Sequence, residues 1–373
     1  MKSFRIIALV LAIAFAFSGC MNTQNLKDLT VVQGLGVDVD GANTKITLQY
    51  LNLAKSGSAT DALNGTITTT ANGSANNISD AISVAAKSLS QKIFFGQNKI
   101  IVFGNEYSKI GIDKGLDYLL RSIDSRPDVL VAISSDTAED VIKSTQNGAR
   151  IPAENIYQLL RVGQDNGLGA VVTVNDLLNL YADETSDIYL PLIKTEDKLA
   201  SCQGIVVFSD NKSVKTLDGW QTFGFLFVKN KINGGSLTVK SDEFGYVGLE
   251  IVDSVTKCRV STQDSKITFH CDISVVLLLN ELEKGITTDL TPAKINDIQK
   301  LVENQVEDMC NSAVFACTQS KSDPFMIGRY LAKEDARIYA SLKDNWHDYL
   351  TDVEFSAKVD AKLKNVNDNS VRE

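Results

Sequence analysis

The sequence predicts a mixed α/β, α+β protein of more than one domain, with mixed sheets flanked by helices and displayed as an ectodomain outside a membrane. Three observations predict it. Strand-like and helix-like periods alternate from Leu29 to Ser144, the pattern of a sheet with crossover helices. Residues 200–280 are rich in strands and hairpins, and a long capped helix follows them. The chain opens on a short apolar leader that ends at Cys20.

In that leader, Lys2 and Arg5 precede an unbroken apolar run from Ile6 to Phe17, and then Ser18 and Gly19. The run is too short for the roughly 20 residues that cross a bilayer, so it reads as a secretory signal. Phe17-Ser18-Gly19-Cys20 resembles the bacterial lipobox, in which the Cys is acylated and becomes the mature N-terminus. Residues 1–19 are thus read as a signal peptide and Cys20 as the lipidation site. Two or more acyl chains on one residue anchor stably.

The chain has 373 residues, 44% of them hydrophobic and 22% charged, enough for a large core and two or three domains. Its net charge of −9 grows more negative once Lys2 and Arg5 leave with the signal. That balance argues against a nucleic-acid surface and leaves anchoring to the lipid alone.

The mature domains are expected at 20–198 and 199–373. In the first, Leu29–Val39 and Lys45–Leu53 read as strands around the turn Asp40-Gly41-Ala42-Asn43. A short strand at Thr66–Thr70 precedes an amphipathic helix at Asp80–Ser90 with Ser79 as N-cap. Strands Lys99–Phe103 and Val129–Ile133 alternate with helices Lys114–Ser122 and Ala138–Ser144. Helices Ile156–Val162 and Val174–Tyr181 lead to a strand-like Ile188–Pro191. Ala200–Phe208 opens the second block, whose strand-like segments include Gly224–Val228, Ser236–Lys240 and the hairpin Ser254–Leu279. Thr291 and Pro292 start a long helix. Helices at Pro324–Tyr330 and Asp335–Tyr349 and an alternating strand from Val353 to Leu363 close the chain.

Of the six cysteines, five remain once Cys20 is set aside, an odd set that argues against a disulfide framework. If Asp264-Ser265 is the hairpin tip, Cys258 faces Cys271. The pair is then either a disulfide or two small apolar residues. Cys310 and Cys317 lie too far apart along one helix to bridge within it.

No catalytic, cofactor or metal constellation is legible. His270 and Cys271 are strand neighbours on opposite faces and cannot share a metal locally. His347 lies on a helix that reads as exposed. Asp38-Val39-Asp40-Gly41 departs from a calcium loop at Ala42 and Gln49, so it reads as a turn. Gly34-Leu35-Gly36 lacks the third glycine of a dinucleotide loop. Asp183 and Glu184 read as a solvated face.

Several segments carry a family resemblance: Leu29–Asp38, Lys99–Glu106, Arg126-Pro127-Asp128, Tyr189–Ile193 and Cys202-Gln203-Gly204-Ile205-Val206-Val207-Phe208. The closing segments add Asp323, Gly328-Arg329-Tyr330-Leu331 and Asp344–Tyr349. In order and spacing these resemble the Ger(x)C lipoproteins, the C subunits of spore germinant receptors. The resemblance implies a non-enzymatic, lipid-anchored subunit on the outer face of the spore inner membrane. It also implies two integral-membrane partners, an A subunit and a B subunit, and a role in receptor assembly or signalling toward nutrient germinants. Gly204, Gly328, Arg329, Asp344 and Trp346 are the signature residues it brings. They read as structural, with Trp346 a core aromatic and Arg329 paired to Asp344.

The alternative is a solute-binding lipoprotein of a transporter, which would need two similar α/β lobes around a polar cleft. The strand-rich second block argues against it. An envelope hydrolase would need a convergent nucleophile and base, and none is visible.

Overall fold

The structure, a computed structural model, describes residues 28–52, 66–122, 126–144, 149–264, 266–284 and 290–364. The leader, Cys20 and Leu53 lie outside the described residues.

The spine of the first sheet is β1 (Leu29–Asp40), buried on both faces over residues 29–38. Its run of Val, Leu and Gly suits a strand covered on both sides. On one flank, β2 (Asn43–Leu51) and β3 (Thr68–Ala75) continue it antiparallel. On the other, β5 (Ile100–Phe103), β6 (Leu130–Ser134) and β7 (Tyr189–Glu196) run parallel. β8 (Leu199–Ser209) and β9 (Lys212–Leu217) finish that side antiparallel, and β4 (Lys92–Phe94) pairs with the first residues of β1. Together they form a nine-stranded sheet.

Six helices connect these strands: α1 (Ile78–Ala86), α2 (Asn105–Ile110), α3 (Asp113–Arg121), α4 (Ala138–Ile142), α5 (Pro152–Asp165) and α6 (Val174–Ala182). Under α4 and α5 lies a small apolar cluster with Ile100, Val102, Leu130 and Ile193. The buried side chains of the opposite face form one much larger cluster that continues into the second sheet.

The second sheet orders β10 (Ser236–Ser241), β11 (Gly245–Gln263), β12 (Lys266–Leu282) and β13 (Glu354–Leu363), with β13 parallel to β12. Buried and exposed residues alternate along β12, so one face turns inward. Helix α7 (Gly219–Val228) and the long α8 (Pro292–Gln319) fill the space between the sheets. Thr291 caps α8 by accepting the Lys294 N–H at 3.4 Å. Three side chains on one stripe of α8 then bond β13. Gln299 donates to the Ala361 carbonyl at 2.6 Å, and the Glu303 and Glu307 carboxylates accept from the Ala361 and Val359 N–H groups at 3.1 and 3.3 Å. The outer edge of that strand is thereby covered.

The structure departs from the sequence expectations at several places. Gly224–Val228 is the end of a helix, not a strand. Asp218 and Gln221 form a capping box at its start, and the helix is buried from Thr222 to Val228, which removes the polar face that would have announced it. Ala200–Phe208 belongs to the first sheet, so the division expected at 198/199 falls at the tip of the β7–β8 hairpin, where Asp197 and Lys198 take positive φ. The N-cap of α1 is Asn77, which accepts the Asp80 N–H at 2.8 Å, rather than Ser79. The strand expected at Thr66–Thr70 runs from Thr68 to Ala75. The helix expected from Pro324 begins at Ile327 as α9 (Ile327–Glu334), because Met326 is left-handed with φ 63°. Asp335–Tyr349 is not continuous: α10 (Ala336–Leu342), a 3-10 turn at Lys343–Asn345 and α11 (Trp346–Tyr349) succeed one another. The break turns Trp346 inward, while α10 buries no residue fully.

Candidate functional site

A buried polar cluster lies where the two sheets meet. Aromatic rings bridge the junction: Tyr189 of β7 meets Phe225 of α7 edge-on at 5.0 Å, Phe225 meets Phe325 at 5.0 Å, and Phe269 of β12 follows at 6.3 Å. Beside this seam the chain leaving α8 reverses direction at Lys321 and Met326, both left-handed. The Ser322 hydroxyl donates to the Phe208 carbonyl of β8 at 2.6 Å.

Asp323 sits at the centre and is 1% exposed. Its carboxylate accepts the Ile327 and Gly328 N–H groups at 2.8 Å each, so it caps α9, and it also accepts the Trp346 indole N–H at 2.9 Å. Burial outweighs these donors and pushes its pKa up to about 6. Gly328 packs closely here: a Cβ would lie 3.0 Å from the Trp346 indole nitrogen, so the ring would have to give way.

Asp187, on the loop before β7, joins the two domains. Its N–H donates to the Asp323 carbonyl at 3.0 Å, and its carboxylate accepts the Asp323 N–H at 2.6 Å. The same oxygen lies 3.0 Å from Nε2 of His347, whose Nδ1 is 4.0 Å from Asp210. The hydrogen bond to Asp187 raises the His347 pKa above its ordinary value. Arg329 of α9 pairs with Asp183, which also accepts from the Thr185 N–H and hydroxyl at 3.0 and 2.6 Å. Lys229 donates to the Pro324 carbonyl at 2.7 Å and lies 5.1 Å from the Tyr189 ring centre. Burial lowers its pKa to about 8.

The recess enclosed by Asp183, Asp187, Asp210, Asp323, Trp346 and His347 has a volume of about 210 Å³. Chemically it is a clasp: hydrogen bonds and ion pairs tie the loop 183–187 and the turn at Asp210 to the segment after α8. Among the described residues there is no group of three or more side chains placed to hold a metal ion. Among the described residues the free thiols, Cys202, Cys310 and Cys317, are buried. Burial pushes the Cys202 thiol up to about 11 and raises those of Cys310 and Cys317 further, which disfavours the thiolate.

Residues 22–195 match the family described as "Spore germination protein N-terminal domain", and residues 203–367 match "Spore germination B3/ GerAC like, C-terminal". The chain belongs to the Ger(x)C spore germination family. Among Ger(x)C proteins it is 20% identical to spore germination protein GerQC of Bacillus cereus, over 95% of this chain and 97% of that one. It is likewise 20% identical to spore germination protein KC of Bacillus subtilis, over 95% and 94%. The crystal structure of the GerBC protein superposes with a TM-score of 0.60 at 17% identity, covering 89% of this chain and 97% of that chain. The Ger(x)C family is not known for enzymes.

The structure brings three of the signature residues of this Ger(x)C chain, Gly328, Arg329 and Trp346, to the clasp around Asp323. Arg329 pairs with Asp183, not with Asp344, which is exposed in the 3-10 turn. Gly204 lies elsewhere, in β8, with φ +122° and the Leu217 carbonyl 2.4 Å from where a Cβ would stand. Only glycine lets β8 and the end of β9 pass this closely. Cys258 faces Cys271 across β11 and β12 with Cα atoms 4.2 Å apart, close enough for their sulfurs to bond. Sequence reasoning did not find Asp187, Asp210 or Lys229, and it read Asp183 as solvated and His347 as exposed. Their partners lie 95 to 160 residues away, and no local spacing signals them.

Proposed function

We propose that this chain is the lipid-anchored C subunit of a spore germinant receptor, acting in receptor assembly or signalling and not in catalysis. The carrying observation is the pairing of a lipobox-like Cys20 with two family matches that begin at residue 22 and fill nearly all the rest of the chain. Acylated Cys20 holds the folded body on the outer face of the spore inner membrane. There it docks integral-membrane A and B subunits. Gly328, Arg329 and Trp346 keep its two domains in one arrangement, Gly204 lets β8 pass close to β9, Asp344 stands exposed outside the clasp, and Cys258 and Cys271 are joined as a disulfide in the exported protein.

The test is purification of a C-terminally tagged chain from dormant-spore membranes, with and without Cys20→Ala. Integral-membrane A- and B-type subunits should co-purify with the native chain and be reduced or lost with the variant. Recovery of permease and ATPase components from vegetative cells, with a small solute bound, would overturn the proposal in favour of a solute-binding lipoprotein.

A further inference from the structure

Charge is unevenly distributed over this acidic chain. The end of the first sheet where β1 begins gathers cations. Lys92 stands opposite Leu29 at the start of β4. Lys87 ends α1, on the way from β3 back to β4. The Arg150 carbonyl accepts the Ile67 N–H at 3.0 Å, and Asn52 donates to the Ile67 carbonyl at 2.8 Å, so Arg150 sits beside the end of β2 and the start of β3. Arg126 donates to the Gly96 carbonyl just past β4 at 3.1 Å, and the Lys99 N–H donates to the Gln33 carbonyl at 2.9 Å.

Among the described residues the acidic groups at this end are Asp28, Asp128, Glu154 and Asp176, which lies in the first turn of α6 beside Pro127, and two of them are matched: Asp128 pairs with Arg126 at 2.6 Å and Glu154 with Lys99 at 3.1 Å. Lys87, Lys92 and Arg150 are exposed and form no ion pair among the described residues. Among the described residues this leaves three unpaired cations against Asp28 and Asp176, a local excess of positive charge on a chain whose net charge is −9.

The tether decides which way this end faces. Cys20 precedes Leu29 by nine residues. At ~3.3–3.6 Å per extended residue, the chain between them spans about 30 Å at most. The strand is itself 12 residues long, so its first residue is held within that reach of the bilayer, while Asp40 lies about 40 Å further along the strand. The screening length at physiological salt is about 8 Å, so the acidic groups on distant surfaces do not reach the headgroups and the local sign governs.

We propose that the β1-entry end of the first sheet rests on anionic phospholipid headgroups, with Lys87, Lys92 and Arg150 as the contacts. This rests on the reading of Cys20 as acylated, and adds to it an orientation: the acyl chains hold the protein at the membrane, and the three cations fix which end meets it. Each basic side chain in the headgroup field favours the docked orientation about fivefold.

The test uses the native acylated chain on vesicles of phosphatidylcholine alone and of phosphatidylcholine with phosphatidylglycerol, read by flotation and by amide hydrogen exchange. The chain should float with both vesicles. Exchange across residues 87–99 should be at least about fivefold slower on the phosphatidylglycerol vesicles. High salt, or the triple variant K87Q/K92Q/R150Q, should abolish that difference while flotation persists. Flotation with both vesicles but equal exchange on them would overturn the headgroup contact and leave the anchor standing. Failure to float with either would overturn the anchor, and with it the tether on which the orientation depends.

Discussion

Asp323 is the residue on which the clasp turns, because it alone gathers α9, Trp346 and the loop before β7. Replacing it with alanine strands the Ile327, Gly328 and Trp346 donors in a buried site. We expect Asp323→Ala to lower stability by about 3 kcal/mol, and Trp346→Phe, which removes one donor and keeps the ring packing, by about 1 kcal/mol. Denaturant titration of the two variants checks this ranking. The clasp also titrates. Asp323 has a folded pKa of about 6 against an ordinary 3.8, so its contribution is fullest below about pH 4 and is lost as pH rises toward 6. The folded pKa of His347 is raised above 6.5 by Asp187, with Asp210 and Asp323 adding to the effect. Its contribution is therefore present below 6.5 and lost as pH rises through the folded value. Both groups push stability down toward alkaline pH, in adjoining windows. In His347→Gln the loss above pH 6.5 should vanish while the loss between pH 4 and 6 remains. A variant whose stability follows the parent throughout would rule out His347 as the upper titrating group.

Among the elements, α7 and α8 show best what the sequence reveals and what it conceals. The long helix was legible, since Thr291, Pro292 and an apolar stripe from Ile298 to Met309 mark its start and its buried face. The β11–β12 hairpin and the terminal strand were legible for the same reason: one wet face imposes a period of two. Helix α7 was not, because burial on nearly all sides erases the 3.6-residue period and leaves an apolar run that also fits a strand. Its tertiary signal is Gly224, where a Cβ would lie 2.0 Å from the Met309 carbonyl of α8. Gly224→Ala should force the two helices apart and lower stability by about 3 kcal/mol or more, seen as a lower thermal midpoint, while Gly219→Ala, with open space at its Cβ, should be close to neutral. The hairpin carries a separate expectation. Cys258 and Cys271 are 13 residues apart, and a bond between them should add about 3 kcal/mol by restricting the unfolded chain. Equal denaturation midpoints for the oxidised protein and a Cys258→Ser/Cys271→Ser variant would argue against that bond.

At the scale of the whole molecule, the two family matches meet between residues 195 and 203, yet the physical seam lies elsewhere. The first sheet continues through β8 and β9 to Leu217, and the large apolar cluster runs without interruption from β1 to β13. A cut after Lys198 removes β8, the partner of β7, with β9 beyond it, leaves the edge of β7 bare, and uncovers Tyr189 where Phe225 had packed. The division read from sequence is thus a division between chain segments that fold together, since the change from alternating strands and helices to strand-rich segments marks a change of architecture and not a gap in packing. Shared packing predicts shared unfolding: with one continuous core, loss of either sheet exposes the apolar face of the other. The ectodomain should unfold in a single calorimetric transition, with van't Hoff and calorimetric enthalpies in agreement, and a fragment ending at Lys198 should fail to fold. Two separated transitions, or a soluble cooperative fragment, would mean that the α7–α8 wedge and the Asp323 clasp join bodies already stable on their own. Arg329, Gly328 and Trp346 would then set the angle between those bodies, and substitutions there would alter receptor function while leaving each transition in place.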